Sequence, residues 1–199
     1  RRGETVSVYA LWGGGTAGHI TPLIAVYEKL LALDSDAQYV VVGTEGGRER
    51  ELLPQALADI ISVPKMPFPR KLSSDALDFI PRWLSTVVRL RTELLRRRVD
   101  AVVGFGGYTA APVYLAAWLA RIPLVVHEAN ALPGMANRLA SWLTPHVAVC
   151  FPQTPLRHAR VVGMPLRRAI IEASTVGPAT ARKHFGLDTR KPLLLITGG

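Results

Sequence analysis

The 199-residue chain is long enough for one well-packed α/β domain and a short piece of a second. With 49% hydrophobic and 20% charged residues it reads as globular rather than disordered, and its formal charge of +9 suits nucleic acid, an anionic membrane surface or a phosphorylated substrate. No apolar run reaches the roughly 18 residues of a spanning helix, because Arg121 and Pro123 interrupt the longest.

Arg1-Arg2-Gly3-Glu4 leads straight into a strand-like segment, so no signal peptide is expected there. Short β-branched runs then alternate with amphipathic stretches, the pattern of repeated βα units on a parallel sheet. Strands are expected near Thr5–Leu11, Gln38–Val42, Ile60–Val63, Ala101–Gly104, Leu124–His127 and Val147–Cys150, with a short one at Arg160–Val162. Helices are expected near Thr21–Leu33, Glu49–Leu57, Arg82–Arg98, Ala110–Ala120 and Met135–Trp142, the first capped by Thr21 with Pro22 in its opening turn. Lys65–Pro81, with prolines 67, 69 and 81, reads as a loop. A domain boundary is expected after Gly163-Met164-Pro165, giving a first domain of residues 1–165. Beyond it, Ala179–Phe185 reads as helix and Pro192–Thr197 as a new central strand. The chain stops at Gly198-Gly199, where a strand-to-loop turn would begin, and residues 166–199 read as a linker and the truncated start of a second domain. The single cysteine, Cys150, excludes an internal disulfide, fits a reducing cytoplasm, and reads as core packing.

The chemistry gathers at two glycine loops. Gly13-Gly14-Gly15-Thr16-Ala17-Gly18-His19 follows the first strand and opens a helix, whose N-terminus offers unpaired N–H groups and a positive dipole end to a phosphate. Gly13, Gly15 and Gly18 match the dinucleotide fingerprint, with Glu45 past the second strand as a ribose-binding acid, and on that match alone a nucleotide-dependent oxidoreductase stays open. A second loop, Gly104-Phe105-Gly106-Gly107-Tyr108, opens another helix at the same sheet edge. His127-Glu128-Ala129-Asn130 follows the next strand, so His19, Tyr108, His127, Glu128 and Asn130 are expected to converge on one crevice. His127 taken alone reads better as a satisfied structural group. A nucleic-acid module rests on charge only, without zinc-finger spacing, a recognition helix or a stacking motif, so no nucleic-acid partner is expected.

Taken in order, these segments resemble the MurG family of glycosyltransferases. Gly14-Gly15-Thr16-Ala17-Gly18-His19 is similar to its first glycine loop and Gly104-Phe105-Gly106-Gly107-Tyr108 to its second. Residues 122–137, with Pro123, His127-Glu128, Asn130, Gly134 and Asn137, resemble a third block. Val162-Gly163-Met164-Pro165-Leu166-Arg167 resembles the crossing between domains. Ala17, Ala129 and Met164 depart from the common glycine, glutamine and asparagine.

The resemblance implies a Rossmann-like α/β fold forming the N-terminal, acceptor-binding half of a GT-B glycosyltransferase. It implies inverting transfer of N-acetylglucosamine from UDP-N-acetylglucosamine to the 4-hydroxyl of N-acetylmuramyl-(pentapeptide) on undecaprenyl diphosphate. Such a displacement needs a base for the hydroxyl and a stabiliser for the leaving diphosphate. His19 is the first candidate base, kept neutral by the helix terminus, and Glu128 the rival. Thr16, Ala17, Gly18, Asn130 and Arg167 match UDP-sugar contacts, while Gly14, Gly15, Gly106, Gly107 and Tyr108 fall to the acceptor diphosphate. No metal-ligand cluster stands in the sequence and no cofactor is expected.

Residues 65–98 carry nine basic side chains and three acidic ones. In this segment Phe79, Ile80 and Trp83, joined in space by Trp118, suit contact with an anionic membrane, and a peripheral place on the cytoplasmic face of the cell membrane is expected. The alternative is core burial of Trp83, Val87, Leu90 and Leu94, which recur at helical spacing.

Overall fold

The computed structural model describes residues 6–14, 17–47, 49–57, 59–66 and 74–196, and does not describe the side chains of residues 17, 49, 50, 74–77 and 108. Seven strands form one parallel sheet: β1 (Val8–Trp12), β2 (Gln38–Thr44), β3 (Ile60–Val63), β4 (Ala101–Gly104), β5 (Leu124–Glu128), β6 (His146–Val149) and β7 (Ala159–Val161). Their spatial order is β3-β2-β1-β4-β5-β6-β7. The chain therefore builds outward from β1 in one direction, then restarts on its other side with β4, where Tyr9 pairs with Ala101 and Trp12 with Gly104. This reversal opens a crevice between the carboxyl ends of β1 and β4, the position in such sheets where ligands bind.

Helices cover both faces because strand side chains alternate sides. Ala10, Trp12, Val102, Leu124 and Val126 face one core with α3 (Ser74–Arg96), α4 (Ala111–Leu119) and α5 (Met135–Leu143). Leu11, Val41 and Phe105 face a smaller core with Leu23 and Tyr27 of α1 (Ala17–Leu33). The sequence expectation of an α/β Rossmann-like sheet with helices on both faces holds.

Several boundaries differ. α1 begins at Ala17, not at Thr21, so Pro22 lies inside it. Its missing N–H removes the bond to the Gly18 carbonyl, one turn into the helix. The expected helix 49–57 splits at Pro54 into α2 (Glu49–Leu52) and a 3₁₀ turn over Gln55–Leu57. The loop expected through Pro81 is helical from Ser74, with Pro81 inside α3 on its exposed side. Along α3, Val87, Leu90 and Leu94 are buried, as the helical spacing requires.

Past β7 the described side chains are mostly exposed. Two short helices, α6 (Arg168–Ser174) and α7 (Pro178–His184), bury no residue. α6 was not expected from the sequence. The strand expected at Pro192–Thr197 is not formed over 192–196, where Leu194 and Ile196 remain 82% and 84% exposed. An apolar segment becomes a central strand only between paired neighbours, and among the described residues no strand pairs with it; Thr197 is outside the described residues. Among the described residues no helix is long and apolar enough to cross a membrane.

Candidate functional site

The end of β4 fixes the second glycine loop through shape. A Cβ on Gly104 would lie 2.2 Å from the Tyr114 ring, so only glycine lets α4 pack its buried tyrosine over the strand. Gly106 and Gly107 then take φ of +86° and +95°, a conformation L side chains rarely adopt. The turn brings Gly107 against the first loop, its Cβ position 3.4 Å from the Gly14 carbonyl oxygen and 3.8 Å from the His19 ring.

A buried hydrogen-bond chain sets this loop. The Gly106 N–H donates to the Tyr114 hydroxyl (3.0 Å), which donates to Oδ1 of Asn137 on α5 (3.1 Å). Asn137 Nδ2 reaches the His127 carbonyl (3.2 Å) and Glu128 Oε2 (3.0 Å). The Gly106 carbonyl accepts from the buried Trp12 indole (2.8 Å). Burial raises the Tyr114 pKa far above its ordinary 10, so its hydroxyl stays neutral and able to donate. Tyr114 and Asn137 were given no role from the sequence. The legible signals were a tyrosine hydroxyl in the apolar run 111–119 and an asparagine in the first turn of the helix after Gly134.

Glu128 is 3% exposed and receives four donors. Oε1 takes the Asn130 N–H and Asn130 Nδ2, both at 2.9 Å, and Oε2 takes the Gly134 N–H at 3.1 Å together with Asn137 Nδ2. A carboxylate has about four lone-pair sites, and all are occupied. His19, on the first turns of α1, is half-buried. Burial lowers its pKa below the usual 6.5, with the nearby Glu128 charge pulling the other way.

These groups line one cleft of about 510 Å³. His19, Gly107, Glu128, Asn130, Gly134 and Asn137 form its polar end, and Met66, Phe79, Trp83, Ala111, Met135 and Leu139 its apolar walls. Asn130 is exposed at the rim, and Gly18, next to His19, is also exposed.

Of the expected site residues, His19, Glu128, Asn130 and Gly107 come together. Gly106 is present as well, but its N–H is held by Tyr114 and cannot also bind an anion. Gly14 is buried, hemmed in by Thr44 and Trp12. His127 was expected in this crevice and does not line it. Adjacent strand residues face opposite sides, so His127 lies across the sheet from Glu128, with Nε2 3.0 Å from the Gly163 carbonyl oxygen and near the Cys150 thiol. Arg167 is likewise absent from the lining; it precedes α6, whose Arg168 N–H is bound to Glu28 of α1. Glu45 is exposed and outside the cleft, which leaves the dinucleotide fingerprint without its acid. Gly15 and Thr16 lie outside the described residues, as do the side chains of Ala17 and Tyr108. Phe79 and Trp83 are half-buried in the cleft wall, whereas Ile80 and Trp118 are exposed, at 62% and 50%.

Residues 9–149 match the model of the glycosyltransferase family 28 N-terminal domain. The chain belongs to that family. A UDP-N-acetylglucosamine–N-acetylmuramyl-(pentapeptide) pyrophosphoryl-undecaprenol N-acetylglucosamine transferase of Clavibacter sepedonicus is 46% identical over 197 residues, 98% of this chain and 53% of its own length. The transferase of the same name from Leifsonia xyli is 47% identical over 196 residues, 98% of this chain and 54% of its own length. The chain thus spans about half the length of the curated relatives it matches. The crystal structure of Acinetobacter baumannii MurG superposes with a TM-score of 0.67 at 29% identity, covering 81% of this chain and 47% of that one. The resemblance carried by the four motifs is borne out, and the family 28 membership leaves the oxidoreductase alternative without support.

Proposed function

We propose that this chain is the acceptor-binding part of a peptidoglycan glycosyltransferase. The whole protein transfers N-acetylglucosamine from UDP-N-acetylglucosamine to the 4-hydroxyl of N-acetylmuramyl-(pentapeptide) carried on undecaprenyl diphosphate. The observation that carries this reading is the meeting of His19, Gly107 and the N-terminus of α1 at the β1–β4 switch point, in a member of a glycosyltransferase family. Residues 1–165 form the acceptor domain and residues 166–199 lead into the donor domain.

In the reaction His19 takes the proton of the acceptor hydroxyl. That oxygen attacks the anomeric carbon, the bond to the UDP oxygen breaks with its electron pair on the diphosphate, and the configuration inverts. A histidine depressed by burial is neutral at pH 7, as a base must be. The acceptor diphosphate lies against Gly15, Gly107, Tyr108 and the α1 N-terminus, where backbone N–H groups and the helix dipole favour anions, while the buried Gly14 supports the loop from behind. Thr16, Ala17, Gly18 and Asn130 meet the UDP-sugar from this side, with Arg167 reaching them only if α6 moves. Glu128 holds Asn130 and the loop before α5 in place. The protein works at the cytoplasmic face of the cell membrane as a peripheral enzyme, with Ile80 and Trp118 exposed to touch anionic lipid.

The test is His19→Ala in the full-length protein. The chemical step falls by about 10²–10⁴, the range for one general base, while acceptor binding changes little. Near-normal turnover in this variant would remove His19 from the mechanism.

A further inference from the structure

The walls of the cleft do not suit the polar parts of the proposed substrates. Phe79 and Trp83 stand one helical turn apart on α3, and Met135 and Leu139 one turn apart on α5. Met66 closes the space from the chain after β3, held near α3 by a 3.9 Å contact with the Thr86 hydroxyl. The small Ala111, at the start of α4, keeps the chamber hollow. Its rim leaves Met135 76% and Leu139 40% exposed, apolar surface that a bound hydrocarbon chain would cover. A cavity of about 510 Å³ is within the range of small-molecule sites.

The two ends of the chamber differ in chemistry. At one end stand His19, Gly107 and the exposed amide of Asn130. Away from this polar end the lining is apolar, and next to Phe79 and Trp83 on α3 stand the exposed Ile80, Leu84 and Arg82. A polar head site running into an apolar chamber fits an amphiphile whose charged group joins its chain directly. A nucleotide sugar has no apolar part for it, and a muramyl peptide is polar at nearly every residue.

The geometry points to an isoprenoid subsite: the chamber between α3 and α5 takes the first isoprene units of a prenyl diphosphate whose diphosphate lies at Gly107 and the N-terminus of α1. This rests on the acceptor-diphosphate reading above and extends it to the lipid. The carrier is then recognised by its chain as well as by its head. Its proximal units leave the bilayer and enter the protein, so the diphosphate can reach the switch point without the whole sheet edge pressing into the headgroups.

The experiment is calorimetry on the full-length protein with inorganic pyrophosphate, geranyl diphosphate and geraniol, all in free solution without detergent. Geranyl diphosphate is expected to bind at least roughly tenfold tighter than pyrophosphate, because burying a few methylenes suffices for that factor. Trp83→Ala and Leu139→Gln should each remove most of the gain and leave pyrophosphate binding as it was. Leu139 sits on the exposed rim, so its variant tests the chamber even if Trp83→Ala fails to fold. Equal affinities for pyrophosphate and geranyl diphosphate overturn the subsite and spare the diphosphate site. A gain that survives both variants but disappears in Ile80→Ser also overturns it, by putting the chain on the outer surface. Geraniol binding lost in Leu139→Gln, with no pyrophosphate binding, keeps the chamber and refutes the head-site reading. No binding by any of the three sinks both.

Discussion

Replacing Tyr114 by phenylalanine isolates the hydroxyl that joins the second glycine loop to α5. The ring keeps its packing over Gly104, and only the oxygen is lost. That oxygen accepts from the Gly106 N–H at 3.0 Å and donates to Asn137 Oδ1 at 3.1 Å, both buried. A net hydrogen bond contributes about 1 kcal/mol, but each buried partner left unsatisfied costs about 1–3 kcal/mol. Asn137 keeps its two bonds from Nδ2 to His127 and Glu128, which hold the amide in place, so the cost falls on both the Gly106 N–H and Asn137 Oδ1. The expected destabilisation is about 2–4 kcal/mol. Urea unfolding followed by far-UV dichroism measures it as a lower midpoint at unchanged slope. The double variant Tyr114→Phe/Asn137→Ala should be less destabilised than the sum of the singles by about 0.5–3 kcal/mol, because both act on one chain of bonds. A Tyr114→Phe change below about 0.5 kcal/mol, the level of an ordinary surface substitution, would refute the claim that this hydroxyl holds the loop.

Three further outcomes follow from the same geometry. Gly104→Ala puts a methyl within 2.6 Å of three Tyr114 atoms and should cost about 1–3 kcal/mol in urea unfolding, while full stability would mean α4 shifts freely. In the full-length enzyme the acidic limb of kcat/KM should inflect below pH 6.5, since burial depresses His19 and keeps it unprotonated at lower pH; an inflection at or above 6.5 counts against it. The same depression makes native His19 bind fewer protons than in the unfolded chain, so its contribution to stability is lost as pH falls through 6.5 toward the folded value. Ile80→Ser and Trp118→Ser should weaken salt-sensitive co-sedimentation with anionic vesicles, and equal sedimentation with neutral vesicles would exclude an electrostatic surface contact.

The sheet was legible because buried parallel strands are short β-branched runs with little polar content, and β2, β4 and β6 fell where those runs lie. The starts of α1 and α3 were not, because proline was read as a boundary, whereas α2 and α5 begin at Glu49 and Met135 as expected. Pro22 and Pro81 each sit inside a helix whose other contacts outweigh one missing N–H. At the site, loop motifs located the crevice but not the direction of each side chain. His127 and Glu128 were grouped by adjacency, although neighbouring strand residues must face opposite ways. The apolar chamber was not legible, because Met66, Phe79, Met135 and Leu139 lie on three separate segments whose approach depends on the strand order. Phe79 and Trp83 were read as membrane contacts for the same reason: an aromatic pair in a basic segment gives no sign of which side of the helix meets a cleft.

The hydrogen bonds of Glu128 weigh against it as the base. A general base must accept one more proton at an atom with a vacant lone pair. Both oxygens of Glu128 already serve two donors each, and the donors come from Asn130, the Gly134 backbone and Asn137. Protonating it would place a hydrogen where Asn130 or Gly134 now donates, and would detach the loop carrying the proposed sugar contact. Its charge instead reaches His19 through space and partly offsets the depression by burial. A neighbouring carboxylate that favours the imidazolium lowers the cost of forming it once the acceptor proton has moved. In the proposed reaction Glu128 would then act through His19 and Asn130 without touching the reacting hydroxyl. Glu128→Gln keeps the size of the side chain but turns one oxygen into a donor facing donors, so it should disturb Asn130 as well as His19. In the full-length enzyme KM for the UDP-sugar should rise and the acidic limb should move to lower pH. A variant in which only kcat falls, by the 10²–10⁴ of a lost base, with the limb unmoved, would return Glu128 to the chemistry.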